Sequence, residues 1–263
     1  MASPDSISTD PRHSSIQLPR WVWSGLAGTL IAGGLLVWLA VAIRHARHDA
    51  EKSECKGKLS QISLALSNYH ADYGCYPPAY VADENGRPMH SWRVLLLPYW
   101  DAGDFYRRYR FDEPWDGPNN RKLGAEANTP CTLYHCPSDW RETGGADNSR
   151  MTNYVVVRSP ETAWNGTRSA SRIDITDDPA STPLVVEVAN SGIHWMEPRD
   201  LDLSEMAATI NSKTAEGISS RHPLGAWCIL ADGAARFLPE NMPPERLRFL
   251  LTVRDGKNRK SGF

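Results

Sequence analysis

The chain has 263 residues, 10 tryptophans and a formal net charge of −2. With no basic excess and no basic run, it lacks the electrostatic footprint of a nucleic-acid-binding protein. Five cysteines, Cys55, Cys75, Cys131, Cys136 and Cys228, include no CxxC pair. That excludes a zinc ribbon or a thioredoxin-type motif, and the odd count leaves at least one thiol free or paired with another chain.

In chain order, residues 1–20 carry Pro4, Pro11, Pro19 and several serines. They read as a disordered tail. Trp21–Ile43 then runs for 23 residues without a charge. As a helix it would extend ~34 Å, against a hydrocarbon core of ~30 Å. Arg20 closes one end, and Arg44, His45, Arg47 and His48 close the other. Trp21, Trp23 and Trp38 lie towards the ends, where aromatic belts form. A signal peptide is the alternative, but the run exceeds a usual h-region and no small-x-small cleavage site follows it. A retained transmembrane helix is therefore expected. Gly25, Thr29 and Gly33 recur every four residues. They read either as a seam for helix-mediated self-association or as the ordinary glycine tolerance of membrane helices. Basic residues number two before the run (Arg12, Arg20) and five after it (Arg44, Arg47, Lys52, Lys56, Lys58). That count alone places the C-terminal part in the cytoplasm.

Beyond the apolar run, Cys55, Leu59, Ile62, Leu66, Tyr69 and Tyr73 follow helical spacing and make one face. No proline intervenes between residues 20 and 76. The spacing thus predicts one helix from about Trp21 to Tyr73, with residues 44–76 as its soluble half. Gly74 is placed to end it, and Pro77-Pro78 prevents resumption. A globular α+β domain is expected over residues 77–254. Ser91–Trp100 and Asp104–Tyr109 read as short helices, and Asn153–Val157 and Leu184–Val188 as strands. Gly225–Leu230 and Ala234–Leu238 flank Asp232-Gly233, a hairpin signal for which a type I′ turn is expected. Glu245–Leu251 reads as a last helix and 255–263 as a polar tail.

Few residues point to chemistry. His222 and Asp232 suit a catalytic base and its orienting acid, or else a strand start and a hairpin turn. We read them structurally and assign no catalytic residue. Asp112, Glu113 and Asp116 around Trp115 resemble a glycosidase carboxylate pair, or acids that cap the loop or pair with Arg121. Asp174, Asp177 and Asp178 lack EF-hand spacing. No metal and no cofactor are expected. Trp115, Trp164, His194 and Trp195 are candidate binding residues for a glycan or other polymer. Cys131 and Cys136 are close enough in sequence for a local disulfide. Cys55 and Cys75, on one helix, would be ~30 Å apart, which excludes their pairing.

A long helix, apolar first and amphipathic second, is similar to those of type IV pilins and pseudopilins, whose second half packs on an antiparallel sheet. The segments CKGKLSQISLALSNYHADYGCYPP, SWRVLLLPYW, FDEPWDGPNNRKL, YHCPSD, TNYVVV and VVEVANSGIHWMEPRDL resemble successive blocks of the DUF1559 family. RHPLGAWCILADGAARFLPENM resembles its C-terminal signature, a His followed after nine residues by Asp-Gly, here His222, Asp232 and Gly233. The resemblance implies a pilin-like fold and a membrane-anchored, envelope-exposed structural or interaction protein. Its domain would lie outside the cytoplasm, opposite to the charge count. A glycan-binding surface module is the alternative, and a hydrolase a weaker one. The chain has Leu18-Pro19-Arg20-Trp21-Val22-Trp23 where many members carry a prepilin leader with Gly-Phe-Thr-Leu and a Glu. A permanent anchor, rather than a filament stem, is expected. In an oxidising compartment, Cys55–Cys136 is the first pairing to test, because both lie in matching segments. Cys131–Cys136 is the rival.

Overall fold

The computed structural model describes residues 20–142, 150–214 and 216–253, including the side chains of all these except 20–32, 48 and 140–142. The two predicted tails therefore fall almost entirely outside the described residues. The chain divides into two compact units, Met1–Asp49 and Ala50–Phe263. One helix, α1 (Arg20–Tyr73), contributes to both. It ends as its sequence requires. Gly74 sits at φ +72° and donates its N–H to the His70 carbonyl at 2.9 Å, the left-handed cap that glycine adopts without a Cβ penalty.

In the first unit, Leu35, Leu36, Val37, Trp38, Leu39, Val41 and Ile43 are exposed. Among the described residues, no helix is long and apolar enough to cross a membrane. The described side chains of the predicted span begin at Gly33. Gly25 and Thr29 of the small-residue stripe lie outside them.

The second unit is α+β. Its elements are β1 (Tyr80–Ala82), β2 (Pro88–Ser91), α2 (Trp92–Leu95), α3 (Gly103–Arg108), α4 (Pro118–Gly124), α5 (Pro137–Glu142), β3 (Tyr154–Val155), β4 (Val157–Arg158), β5 (Pro183–Glu187), β6 (Leu201–Asp202), β7 (Gly225–Leu230), β8 (Ala235–Pro239) and α6 (Pro244–Leu251). The main sheet is antiparallel, in the order β3-β5-β7-β8. Alternation along its strands sorts side chains between two cores. Tyr154, Val185 and Ile229 pack with Cys55, Leu59, Ile62 and Leu66 of α1. Val155, Val186, Ala226, Cys228 and Leu230 pack with Leu247, Leu250 and Leu251 of α6. The sheet is thus covered on both faces.

Several local expectations change. Tyr73 is 64% exposed; it stacks on Tyr69 at the helix end, 4.5 Å between ring centroids, instead of entering the core. Pro98 splits the predicted helix over 91–100 into α2 and a 3-10 turn, Leu97–Tyr99, because proline has no N–H to continue the ladder. The predicted strand over 153–157 breaks at Val156, whose N–H donates to Asp200 Oδ1 at 3.0 Å. β4 then pairs in parallel with β6 outside the main sheet. The β7–β8 turn is not type I′. Of its residues only Gly233 has positive φ, +91°, and the Gly233 N–H donates to the Leu230 carbonyl. This is the three-residue hairpin closed by a left-handed glycine.

A buried ion pair ties α2 to the segment before β6. Arg93 Nη2 lies 2.6 Å from Asp200 Oδ1, and neither side chain reaches solvent. Arg93 Nε donates to the Tyr154 carbonyl, and Trp92 Nε1 to Asp200 Oδ1. Burial raises the Asp200 carboxyl, while Arg93 opposes the shift.

Candidate functional site

Four buried side chains from four parts of the second unit meet at one point: Cys55, Cys136, Glu187 and His222. Their ligand-type atoms all lie within 4.8 Å of one another. Helical spacing puts Cys55 on the core face of α1, one turn before Leu59. Cys136 precedes α5, and its N–H donates to Asn153 Oδ1 at 2.8 Å. Glu187 ends β5 on the face towards α1, and its Oε2 accepts the Trp227 N–H at 3.1 Å. His222 precedes β7. Its backbone N–H donates to Ser220 Oγ, while its ring reaches into the cluster.

A polar network supports this convergence. Asp139 accepts from Asn153 Nδ2 and from the Asn190 N–H, and pairs with Arg221 at 3.1 Å. The segments carrying Cys136, Glu187 and His222 are thereby tied to one carboxylate.

The Cys55 and Cys136 sulfurs are 2.6 Å apart, and His222 Nε2 is 3.5 Å from Cys136 Sγ. As thiols the two cysteines do not titrate alike. The hydrogen bond from Cys136 is the largest influence on Cys55 and lowers it to about 6, while Cys136 itself is raised. Burial pushes the Glu187 carboxyl up to about 7. Burial disfavours charge on His222, but the Cys55 sulfur and Glu187 carboxylate more than offset it and raise the imidazole. Two arrangements suit such a set. One is a disulfide with an acid–base pair beside it. The other is a tetrahedral metal site with two thiolates, one imidazole and one carboxylate as ligands, in which metal–sulfur bonds of ~2.3 Å would hold the sulfurs about 3.8 Å apart.

Other predicted site residues are not brought together here. Asp232 is exposed in the β7–β8 turn and accepts the Ala234 N–H at 2.8 Å, while the His222 ring faces the cysteines. Cys131 accepts a hydrogen bond from the Thr129 hydroxyl at 2.9 Å, while the Cys136 sulfur faces Cys55. The geometry thus favours Cys55 over Cys131 as the neighbour of Cys136. Trp164 and Trp195 are buried core residues and offer no face for a sugar to stack on, which removes them from the predicted binding platform. Of that group only Trp115 and His194 are half-buried, their rings stacked at 5.2 Å. Glu113 accepts the N–H groups of Asn119 and Asn120 in the first turn of α4. Asp112 pairs with Arg110, not with Arg121. Asp174 closes a capping box with Ser171, and Asp178 accepts the Ala180 N–H.

Sequence reasoning missed Glu187. The signal was present: a carboxylate within the apolar run Leu184–Val188, which a half-exposed strand accommodates but a strand buried on both faces does not. Arg93, inside SWRVLLL, was missed in the same way.

A family profile described as a protein of unknown function (DUF1559) matches residues 44–183. The match includes Cys55 and Cys136 and stops before Glu187, His222 and the Asp232-Gly233 turn. No curated protein and no solved structure matches the chain.

Proposed function

The chain belongs to the DUF1559 family, and from that premise we propose that it is a membrane-anchored, envelope-exposed structural or interaction protein with a pilin-like head. One feature carries the reading: the two-part character of α1. Its described first part exposes Leu35 to Ile43, apolar throughout, and is followed at once by Arg44. Its second part buries Cys55, Leu59, Ile62 and Leu66 under the sheet. An exposed apolar helix surface is unfavourable in water and favourable in lipid. The uncharged run from Trp21 to Ile43 has the length that a bilayer core requires. The helix therefore serves as a permanent anchor, and residues 50–253 form the head it presents. Self-association through Gly25, Thr29 and Gly33 belongs to the same proposal.

Fractionation and protease accessibility test it. The chain should stay with membranes through high salt and carbonate and leave them in detergent. Protease added outside intact spheroplasts should degrade the head. Release by salt, or full protection of the head from external protease, would overturn the anchoring or the orientation respectively.

A further inference from the structure

We propose that Cys55 and Cys136 are joined by a disulfide, which bolts α1 to the head beside a buried Glu187–His222 pair. The sulfurs approach to 2.6 Å, far inside the ~3.6 Å at which non-bonded atoms of this size meet. The two residues are 81 positions apart, and both are wholly buried. Among the described residues no other cysteine sulfur has a cysteine partner. A tetrahedral metal would need the sulfurs about 3.8 Å apart, so the cluster would have to open by more than ~1 Å to hold one, roughly twice the ~0.6 Å closure that a bond of ~2.05 Å requires.

The chemistry balances with an external disulfide as oxidant. The Cys136 thiol loses its proton to solvent, and the thiolate attacks one sulfur of that oxidant and expels the other as a thiolate. Cys55, losing its own proton, then attacks the Cys136 sulfur and releases the second oxidant thiol. Two protein thiols are oxidised, one external disulfide is reduced to two thiols, and the two protons lost by the protein thiols end on the two leaving sulfurs. Burial of both sulfurs requires this exchange to precede closure of the core. Once closed, the bond fixes the amphipathic half of α1 to the segment before α5, so that half cannot be peeled from the sheet it packs on.

The proposal rests on the head lying in an oxidising compartment. The test uses the full chain, unfolded at lysis in denaturing detergent with alkylating reagent already present, and digested without reduction. A peptide pair linked through Cys55 and Cys136 is expected. Reductant should then lower Tm in the native chain. Cys55→Ser and Cys136→Ser should each lower it by the same amount, with no further loss on reduction. Both cysteines alkylated at lysis would overturn the proposal. Refolding that chain, unalkylated, from denaturant in the presence of oxidised glutathione then separates the premises: bond formation faults the compartment, and its absence faults the geometry. One equivalent of zinc, with thiols that react only after chelation, would overturn it in favour of a metal centre.

Discussion

Two residues show how buried charge shapes this head. Glu187 has its carboxyl raised by burial from 4.5 to about 7. A carboxyl with a raised native pKa contributes stability that is fully present below about 4.5 and lost as pH rises through about 7. Thermal melts of the wild type should therefore decline between about pH 4.5 and 7, and Glu187→Gln should flatten that decline; an equal slope in the variant would remove Glu187 as its cause. Arg93 answers to a different rule. Removing it leaves Asp200 buried without its cation, which typically costs about 3–5 kcal/mol. Urea unfolding of Arg93→Met should show a loss of that order. Adding Asp200→Asn should recover part of it, because the amide oxygen still accepts from the Val156 N–H and Trp92 Nε1 without a buried charge. Neither residue was legible as a partner in the sequence. Each was visible only as a charge in an apolar run, since its counterpart lies 107 positions away for Arg93 and in another loop for Glu187.

At the scale of elements, local rules reached furthest. Helical spacing identified the core face of α1, and Leu59→Ala should cost about 2–5 kcal/mol in chemical denaturation. Leu64 on the same helix is exposed, so Leu64→Ala should stay within about 0.5 kcal/mol. A similar loss from both would mean that the face is misassigned. The Gly74 cap, the β7–β8 hairpin and α6 follow from residues adjacent in sequence and were readable for that reason. Where an element failed, a long-range bond had intervened. Asp200 takes the Val156 N–H out of the main sheet and converts one predicted strand into two. The turn between β7 and β8 was misassigned in type because Asp-Gly fits both geometries, and only the backbone angles of Ala231 and Asp232 separate them.

For the whole molecule, the division into Met1–Asp49 and Ala50–Phe263 suggests a direct test of the anchor. Both cores are built from residues at or beyond Cys55, so a chain lacking residues 1–49 should fold and move from the membrane to the soluble fraction, with its urea midpoint unchanged. Loss of folding would tie the head to the first unit. The apolar run, the long helix, the α+β class and the family are legible along the chain, because each depends on composition, period or motif order. The site is a product of packing. Sequence spacing could leave Cys131 as a rival for Cys136, attach His222 to Asp232 and set Trp164 and Trp195 on a binding face. Folding buried both tryptophans, turned Asp232 to solvent, and brought Cys55, Cys136, Glu187 and His222 within 4.8 Å. Which groups share a buried point depends on how the sheet and α1 close over one another, and that is fixed by packing between residues far apart in the chain.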